Sequence, residues 1–211
     1  MKYFIKTPWW LKKIYPSYLW SVNTNDKIIY LTFDDGPHPV ATSFVLDELK
    51  KYHATATFFC IGKNVVTHPD IYQRIQEEGH TTGNHTQNHL NGWKTKDDIY
   101  LADIKEAATH IDSIFFRPHY GRIAAFQAKH LHKAMQKPNA RVVMWDVLSA
   151  DFDTTLTGYQ CLENVTMNAG KGSIVVFHDS EKALPRLEYA LPRTLQFFAD
   201  KGYLFKGLRE A

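Results

Sequence analysis

Residues 30–37 read YLTFDDGP, an apolar stretch that ends in two adjacent carboxylates and a turn. With Ile28 and Ile29 before it, the stretch has the near-continuous apolar character of a strand buried on both faces of a parallel sheet. Two neighbouring carboxylates repel each other unless a cation or a shared proton lies beside them. Asp34 and Asp35 therefore predict a metal or proton-sharing site at the end of a buried strand. A simple Asp-Gly-Pro turn is the alternative, but it does not explain the second acid.

The chain from Lys27 onward alternates short apolar strands with amphipathic helices. Val45, Leu46 and Leu49 show the helical spacing of the first such helix. Six or seven strand–helix units in succession predict an α/β fold with a parallel sheet, and their number favours a closed or nearly closed barrel. Pro192, within the last helical region, is expected to mark a boundary or a kink.

Length and composition indicate one domain, residues 27–211, preceded by an aromatic and basic extension, residues 1–26. We expect the extension to pack on the barrel, with docking at an interface as the alternative. The net charge of +3, from 25 basic and 22 acidic residues, is too small to indicate a nucleic-acid partner. The two cysteines, Cys60 and Cys161, lack metal or redox spacing and are predicted to be buried thiols.

The extension lacks the apolar run and cleavage site of a secretory signal, and no segment is long and apolar enough to span a bilayer. The default expectation is a cytoplasmic monomer, with association with the cell envelope left open.

Polar side chains with catalytic potential follow the predicted strands rather than precede them. The carboxyl ends of parallel strands share one face of an α/β domain, so these side chains should converge there. They are Asp34, Asp35, His85, His89, Arg117, Asp151 and His178.

The pair His85 and His89 has a spacing that suits one metal ion. On a helical turn, residues four apart lie on the same side with Cβ atoms about 5–6 Å apart. Adding Asp34 or Asp35 gives two imidazoles and one carboxylate with open positions, as a catalytic divalent metal requires. The same donor set occurs in non-haem iron oxygenases, but the two adjacent acids and the histidine after a strand favour hydrolysis.

The remaining side chains suit acid–base chemistry on a carbonyl. If one Asp binds the metal, its neighbour is free to act as a base on water. His178 is the best candidate for the acid that protonates a departing amine. Arg117 would keep the base ionised, and the backbone after Pro118 could donate an N–H to an oxyanion.

Together these motifs resemble the NodB-homology polysaccharide deacetylases, carbohydrate esterase family 4, from about residue 27 to residue 205. The resemblance implies a distorted (β/α)7 barrel of parallel strands with outer helices. It also implies that Asp34 is the catalytic base and that Asp35, His85 and His89 are the metal ligands.

By the same resemblance, Arg117 steadies the base, the backbone of Tyr120 helps hold the oxyanion and His178 is the acid. The metal would be zinc, or sometimes cobalt or nickel. The substrate would be an N-acetylglucosamine unit of a chitin-like oligomer, peptidoglycan or another surface glycan.

Three positions depart from the family pattern. His119 stands where a second Pro is common, which could change the loop or add a substrate contact. Phe152 replaces a Trp, and Leu148 occupies a position often held by the Asp that pairs with the acid histidine. Without that Asp, the pKa of His178 should be lower than in a paired site, unless Asp151 or Asp146 compensates.

The leading hypothesis is a metal-dependent hydrolase that removes N-acetyl groups from a glycan. Two alternatives stay open: hydrolysis of a non-sugar amide or cyclic imide, and a glycan-binding module without turnover, which only Leu148 favours.

Overall fold

The computed structural model describes residues 3–209 as a curled parallel sheet with helices packed around it. The strands are β1 (Ile28–Asp34), β2 (Thr57–Cys60), β3 (Thr81–Asn84), β4 (Phe115–Phe116), β5 (Arg141–Val142), β6 (Val147–Leu148), β7 (Ile174–His178) and β8 (Leu204–Phe205). The α-helices are α1 (Trp9–Ile14), α2 (Ala41–Lys51), α3 (Gly62–Thr67), α4 (Pro69–Glu77), α5 (Asp97–Ala107), α6 (Ala125–Ala134), α7 (Gly158–Thr166) and α8 (Leu184–Ala199).

The sheet has the order β5-β4-β3-β2-β1-β7-β6, and β8 pairs with the start of β1. The two strands at the ends of this order, β5 and β6, both belong to one continuous segment, residues 141–149. Its first part bonds to β4 through the Val143 N–H, and its last part bonds to β7 through the Ser149 N–H. The strands therefore curl into a distorted barrel, which confirms the predicted fold class.

Alternation along β1 explains why its last carboxylate lies inside the barrel. Ile29, Leu31 and Phe33 are fully buried against the surrounding helices. Thr32 and Asp34 point the other way and bond to Arg117 in the interior. Side chains alternate between the two faces of a strand. Asp34 therefore lies on the face opposite Ile29, Leu31 and Phe33 and points into the interior of the barrel.

The N-terminal residues lie against the segment that closes the sheet. The Thr7 N–H donates to the Asp146 carbonyl, the Leu148 N–H to the Ile5 carbonyl, and the Met144 N–H to the Leu19 carbonyl. These bonds tie residues 5–19 to both ends of the 141–149 segment.

Two local predictions can be compared with the structure directly. Cys60 and Cys161 are both buried free thiols, as predicted. The idea that Pro192 ends a helix is wrong, because α8 continues through it from Leu184 to Ala199. Its apolar side packs into the main core, and that packing outweighs the lost backbone bond. Within residues 3–209, no helix is both long enough and apolar enough to cross a membrane.

Candidate active site and metal centre

Asp34 and Arg117 form a buried ion pair at the centre of the site. Arg117 Nη1 donates to Asp34 Oδ1 at 2.7 Å, and the guanidinium has no exposed surface. Nη1 also donates to Thr32 Oγ1, and Nε and Nη2 donate to the carbonyls of Val143 and Met144. The planar group lies 4.0 Å from the ring centre of Phe59. Arg117 is thus fixed on all sides and holds Asp34 in one orientation.

Burial is the largest influence on the pKa of Asp34 and raises it above its ordinary value. The charges of Arg117 and His178 act in the opposite direction and offset part of this rise. A carboxylate with a raised pKa is a better proton acceptor than an ordinary one, provided that it stays ionised at the working pH.

Asp35 lies close to the two predicted histidines. Its Oδ1 lies 2.9 Å from His89 Nε2 and 3.6 Å from His85 Nε2. Burial alone would raise the pKa of Asp35, but His89, His178 and His85 lower it well below its ordinary value. The structure therefore brings the three predicted metal ligands together.

The geometry of these donors fits a divalent cation. His89 Nε2 is buried and, among the described residues, makes no hydrogen bond of acceptable geometry, although Asp35 Oδ1 is close. In a tetrahedral zinc site with bonds of about 2.0–2.1 Å, donor atoms lie roughly 3.3 Å apart. The separations of Asp35 Oδ1 from His89 Nε2, 2.9 Å, and from His85 Nε2, 3.6 Å, lie on either side of that value.

The histidines are oriented by groups behind them. His85 Nδ1 donates a hydrogen bond of 2.6 Å to the Arg117 carbonyl, which leaves Nε2 free for a metal. Burial lowers the pKa of His85 to about 3, so the ring stays neutral. The loop between the histidines is held by Asp103 of α5, which accepts from the N–H groups of Gln87 and Asn88 at 2.8 and 3.0 Å.

His119 joins this cluster, which the sequence did not predict. One donor atom from each of Asp35, His85, His89 and His119 lies within 4.8 Å of the others. The His119 ring centre is 3.6 Å from that of His89. Burial, followed by the neighbouring histidines, lowers the pKa of His119 to about 3. A neutral imidazole at this position is a fourth candidate ligand.

The partner of His178 is Asp151. His178 Nδ1 lies 2.7 Å from Asp151 Oδ1, and the His178 backbone N–H donates to Asp151 Oδ2 at 2.8 Å. Burial alone would lower the pKa of His178, but the charge of Asp151 and its hydrogen bond raise the value to about 9. Asp151, one of the two acids named as possible substitutes, therefore pairs with this histidine, and the lower pKa expected for an unpaired His178 is not found.

The physical reason lies in the backbone after β6. Leu148 faces an apolar cluster with Ala150 and Val176. Ala150 then adopts a left-handed conformation with φ of 62°, and the chain turns so that Asp151 reaches His178. Asp146, the other proposed substitute, bonds instead to Lys6, Lys12 and Ser173.

A further buried acid, Asp179, shapes the turn after Asp35. Its carboxylate accepts from the Gly36 N–H at 3.0 Å and from Thr42 Oγ1 at 2.5 Å. A Cβ atom on Gly36 would lie 2.0 Å from Asp179 Oδ2, so only glycine fits there. Burial raises the pKa of Asp179 to about 8, while the bonds to Thr42 and Gly36 act against that rise.

Left-handed backbone conformations concentrate around the site. Five non-glycine residues in the loops after the strands have positive φ, namely Asp35, Thr86, His89, Tyr120 and Ala150. Such conformations cost about 1–3 kcal/mol each and persist only where surrounding contacts enforce them. The bonds of Asp103 and Asp179 to two of these loops supply such contacts.

Asp34, Asp35, His85, His89 and His178 line one cavity of about 680 Å³, which also contains Tyr120 and His119. Its volume is typical of small-molecule sites, which span roughly 300–1,000 Å³. The fold and the site therefore define an α/β barrel with a buried acid–arginine pair, an Asp/His cluster and a histidine–aspartate pair around one cleft.

Comparisons with known proteins agree with this class. The family profile described as Polysaccharide deacetylase matches residues 21–136. A peptidoglycan-N-acetylglucosamine deacetylase of Bacillus cereus is 35% identical over 199 residues, which cover 90% of this chain and 91% of the relative. A chitooligosaccharide deacetylase of Rhizobium leguminosarum bv. trifolii is 34% identical and covers 74% of this chain and 73% of the relative.

A solved structure shows the same likeness in three dimensions. It is a peptidoglycan N-acetylglucosamine deacetylase in complex with 4-naphthalen-1-yl-N-oxidanyl-benzamide. It superposes with a TM-score of 0.84 at 32% identity and covers 96% of this chain and 95% of its own. The chain belongs to the polysaccharide deacetylase family.

Proposed function

We propose that this protein is a metal-dependent hydrolase that removes acetyl groups from N-acetylglucosamine units of a glycan, with peptidoglycan or a chitin-like oligomer as substrate. One observation carries the proposal. Asp34 and His178 are register partners on the neighbouring strands β1 and β7, and each has a dedicated buried partner, Arg117 and Asp151. A base and an acid are thus held side by side.

Asp35, His85 and His89 would hold the divalent cation, with His119 as a fourth donor. Zinc suits these nitrogen and oxygen donors best, and cobalt or nickel would also fit. When bound, the cation would lower the pKa of water and polarise the carbonyl of the acetamido group.

The protein side chains carry the proton transfers. Asp34 accepts a proton from the attacking water while Arg117 fixes its orientation. The backbone N–H of Tyr120 donates to the developing oxyanion. His178, protonated and stabilised by Asp151, then gives its proton to the sugar nitrogen as the C–N bond breaks. The products are acetate and a free amine on the sugar.

The two alternatives gain no support. The names of the similar relatives refer to N-acetylated glycans, not to cyclic imides. The case for a module without turnover depended on Leu148, and the Asp151–His178 pair at 2.7 Å removes that argument.

Acetate release tests the proposal. Purified protein should release acetate from N-acetylglucosamine oligomers or peptidoglycan fragments, lose this activity with a chelator and regain it with zinc, cobalt or nickel. A panel of small cyclic amides and imides is assayed in parallel. Turnover of those compounds without acetate release from any glycan would contradict the proposal.

A further inference from the structure

The cleft has two walls of different origin. One consists of the residues at the strand ends, including Asp34, His89 and His178. The other is formed by N-terminal residues that precede the barrel, including Phe4, Tyr15 and Trp20. The segment from Tyr3 to Trp20, here called the N-terminal wall, is therefore part of the cavity and not merely a cover for the core.

The N-terminal wall is anchored to the barrel by a buried acid. Lys6 and Lys12 place their Nζ atoms 2.7 and 2.6 Å from the two carboxylate oxygens of Asp146. Burial alone would raise the pKa of Asp146, but bonds from Lys12, Lys6 and Ser173 lower it below its ordinary value. Tyr3 OH adds a bond of 2.6 Å to Asp153. These contacts fix the wall before any ligand arrives.

Two aromatic rings of the wall are exposed where it borders the cavity. Phe4 is 56% exposed and Tyr15 is 43% exposed. Each is held by another ring: Phe4 lies 6.4 Å from Trp10, and Tyr15 stacks on Tyr18 at 5.3 Å between ring centres. Trp93, which is 64% exposed, also lines the cavity. Rings fixed in this way lose little conformational entropy when they bind a ligand.

Sugar rings suit such a surface. A pyranose presents a face of C–H groups, which packs on an aromatic ring, and hydroxyl groups at its edge, which stay in contact with water. A glycan chain that places one unit at Asp34 and His178 must continue past the walls of the cleft.

We propose that Phe4 and Tyr15 of the N-terminal wall bind the sugar units next to the one that is deacetylated, so that the protein prefers oligomers to single N-acetylglucosamine. This inference rests on the proposed function for the identity of the ligand. Its test measures binding, separately from turnover.

The test compares the affinity for an N-acetylglucosamine tetramer with that for the monomer. Calorimetric titrations use the zinc-loaded Asp34→Asn protein as parent, which prevents hydrolysis during the measurement. The test variant adds Phe4→Ala and Tyr15→Ala. The control variant adds Trp9→Ala instead, because Trp9 belongs to the same segment, is 69% exposed and does not line the cavity.

In the parent, the tetramer should bind more tightly than the monomer. The double substitution should raise the Kd of the tetramer on the order of tenfold, which corresponds to about 1.4 kcal/mol, and leave that of the monomer unchanged. The Trp9→Ala control should match the parent. Equal tetramer affinity in the test variant and the parent, an equal loss in the control, or no tetramer binding to the parent would overturn the inference.

Acetate release by the wild-type protein is measured in the same experiment. If tetramer binding depends on Phe4 and Tyr15 but no acetate is released, the proposed function fails while the glycan-binding role of the wall stands.

Discussion

His178 Nδ1 lies 2.7 Å from Asp151 Oδ1, and this contact decides the protonation state of the proposed acid. The pKa of His178 is raised to about 9, so the ring carries its proton at neutral pH and across the mildly alkaline range. An acid that must protonate an amine nitrogen requires that form.

Replacing Asp151 with Asn should move the alkaline limb of the pH–rate profile to lower pH. The substitution removes the charge that raises the pKa of His178, so the ring loses its proton at a lower pH. The loss in kcat/KM should be smallest at low pH, where the largest fraction of His178 is protonated, and should grow as the pH rises. At pH 8 the variant should lose on the order of tenfold in kcat/KM relative to its own value at pH 6. An alkaline limb at the same pH in both proteins would show that Asp151 does not control this group.

Replacing His119 with Pro should weaken metal binding without removing the site. Asp35, His85 and His89 remain as ligands, but the fourth donor is lost. We expect the zinc Kd, measured by competition with a chromogenic chelator, to rise about 10–100-fold, the range seen when a contact that supports a metal site is lost. The visible spectrum of the cobalt form should change as well.

His110→Ala is the matched control for this measurement, because His110 is exposed and lies outside the cavity. Identical zinc affinity and cobalt spectra in the wild-type and His119→Pro proteins would exclude His119 from the metal site.

Replacing Gly36 with Ala should destabilise the protein. The added Cβ would lie 2.0 Å from Asp179 Oδ2, so the turn that carries Asp35 must move. Overpacking of this kind costs about 1–3 kcal/mol in the free energy of unfolding. Urea denaturation monitored by circular dichroism measures that loss.

Gly170→Ala provides the control for this substitution. No heavy atom lies within 4 Å of a Cβ built on Gly170, so its unfolding free energy should stay within about 0.5 kcal/mol of wild type. A Gly36→Ala protein as stable as the Gly170→Ala protein would contradict the role given to Asp179.

The sequence was sufficient for the features that depend on periodicity. The apolar run that ends in Asp34 and Asp35 indicates a buried strand with its acids at one end, and polar residues that follow parallel strands converge because those strands end at one face. The approach of Arg117 to Asp34 and of His85 and His89 to Asp35 follows from that rule.

Features that depend on loop conformation could not be predicted in the same way. The sequence named Asp151 and Asp146 as possible partners of His178 without deciding between them. The left-handed conformation of Ala150 is part of the turn that brings Asp151 to His178. Asp103 had a visible signal, because a carboxylate stands on the buried stripe of α5 between Tyr100 and Ala107. Its bonds to the loop between the metal histidines depend on how that loop folds back over the helix.

The proposed division of labour between the two adjacent acids is the central claim, and the Asp34→Asn protein tests it most directly. Zinc content and acetate release from an N-acetylglucosamine oligomer are measured together, with Asp35→Asn as the comparison and circular dichroism to verify folding. Asp34→Asn should bind zinc at the wild-type stoichiometry and release acetate at least about a hundredfold more slowly, since a general base contributes 10²–10⁴-fold, whereas Asp35→Asn should lose zinc affinity. Wild-type acetate release by Asp34→Asn, or loss of zinc from it while Asp35→Asn keeps zinc, would contradict the assignment.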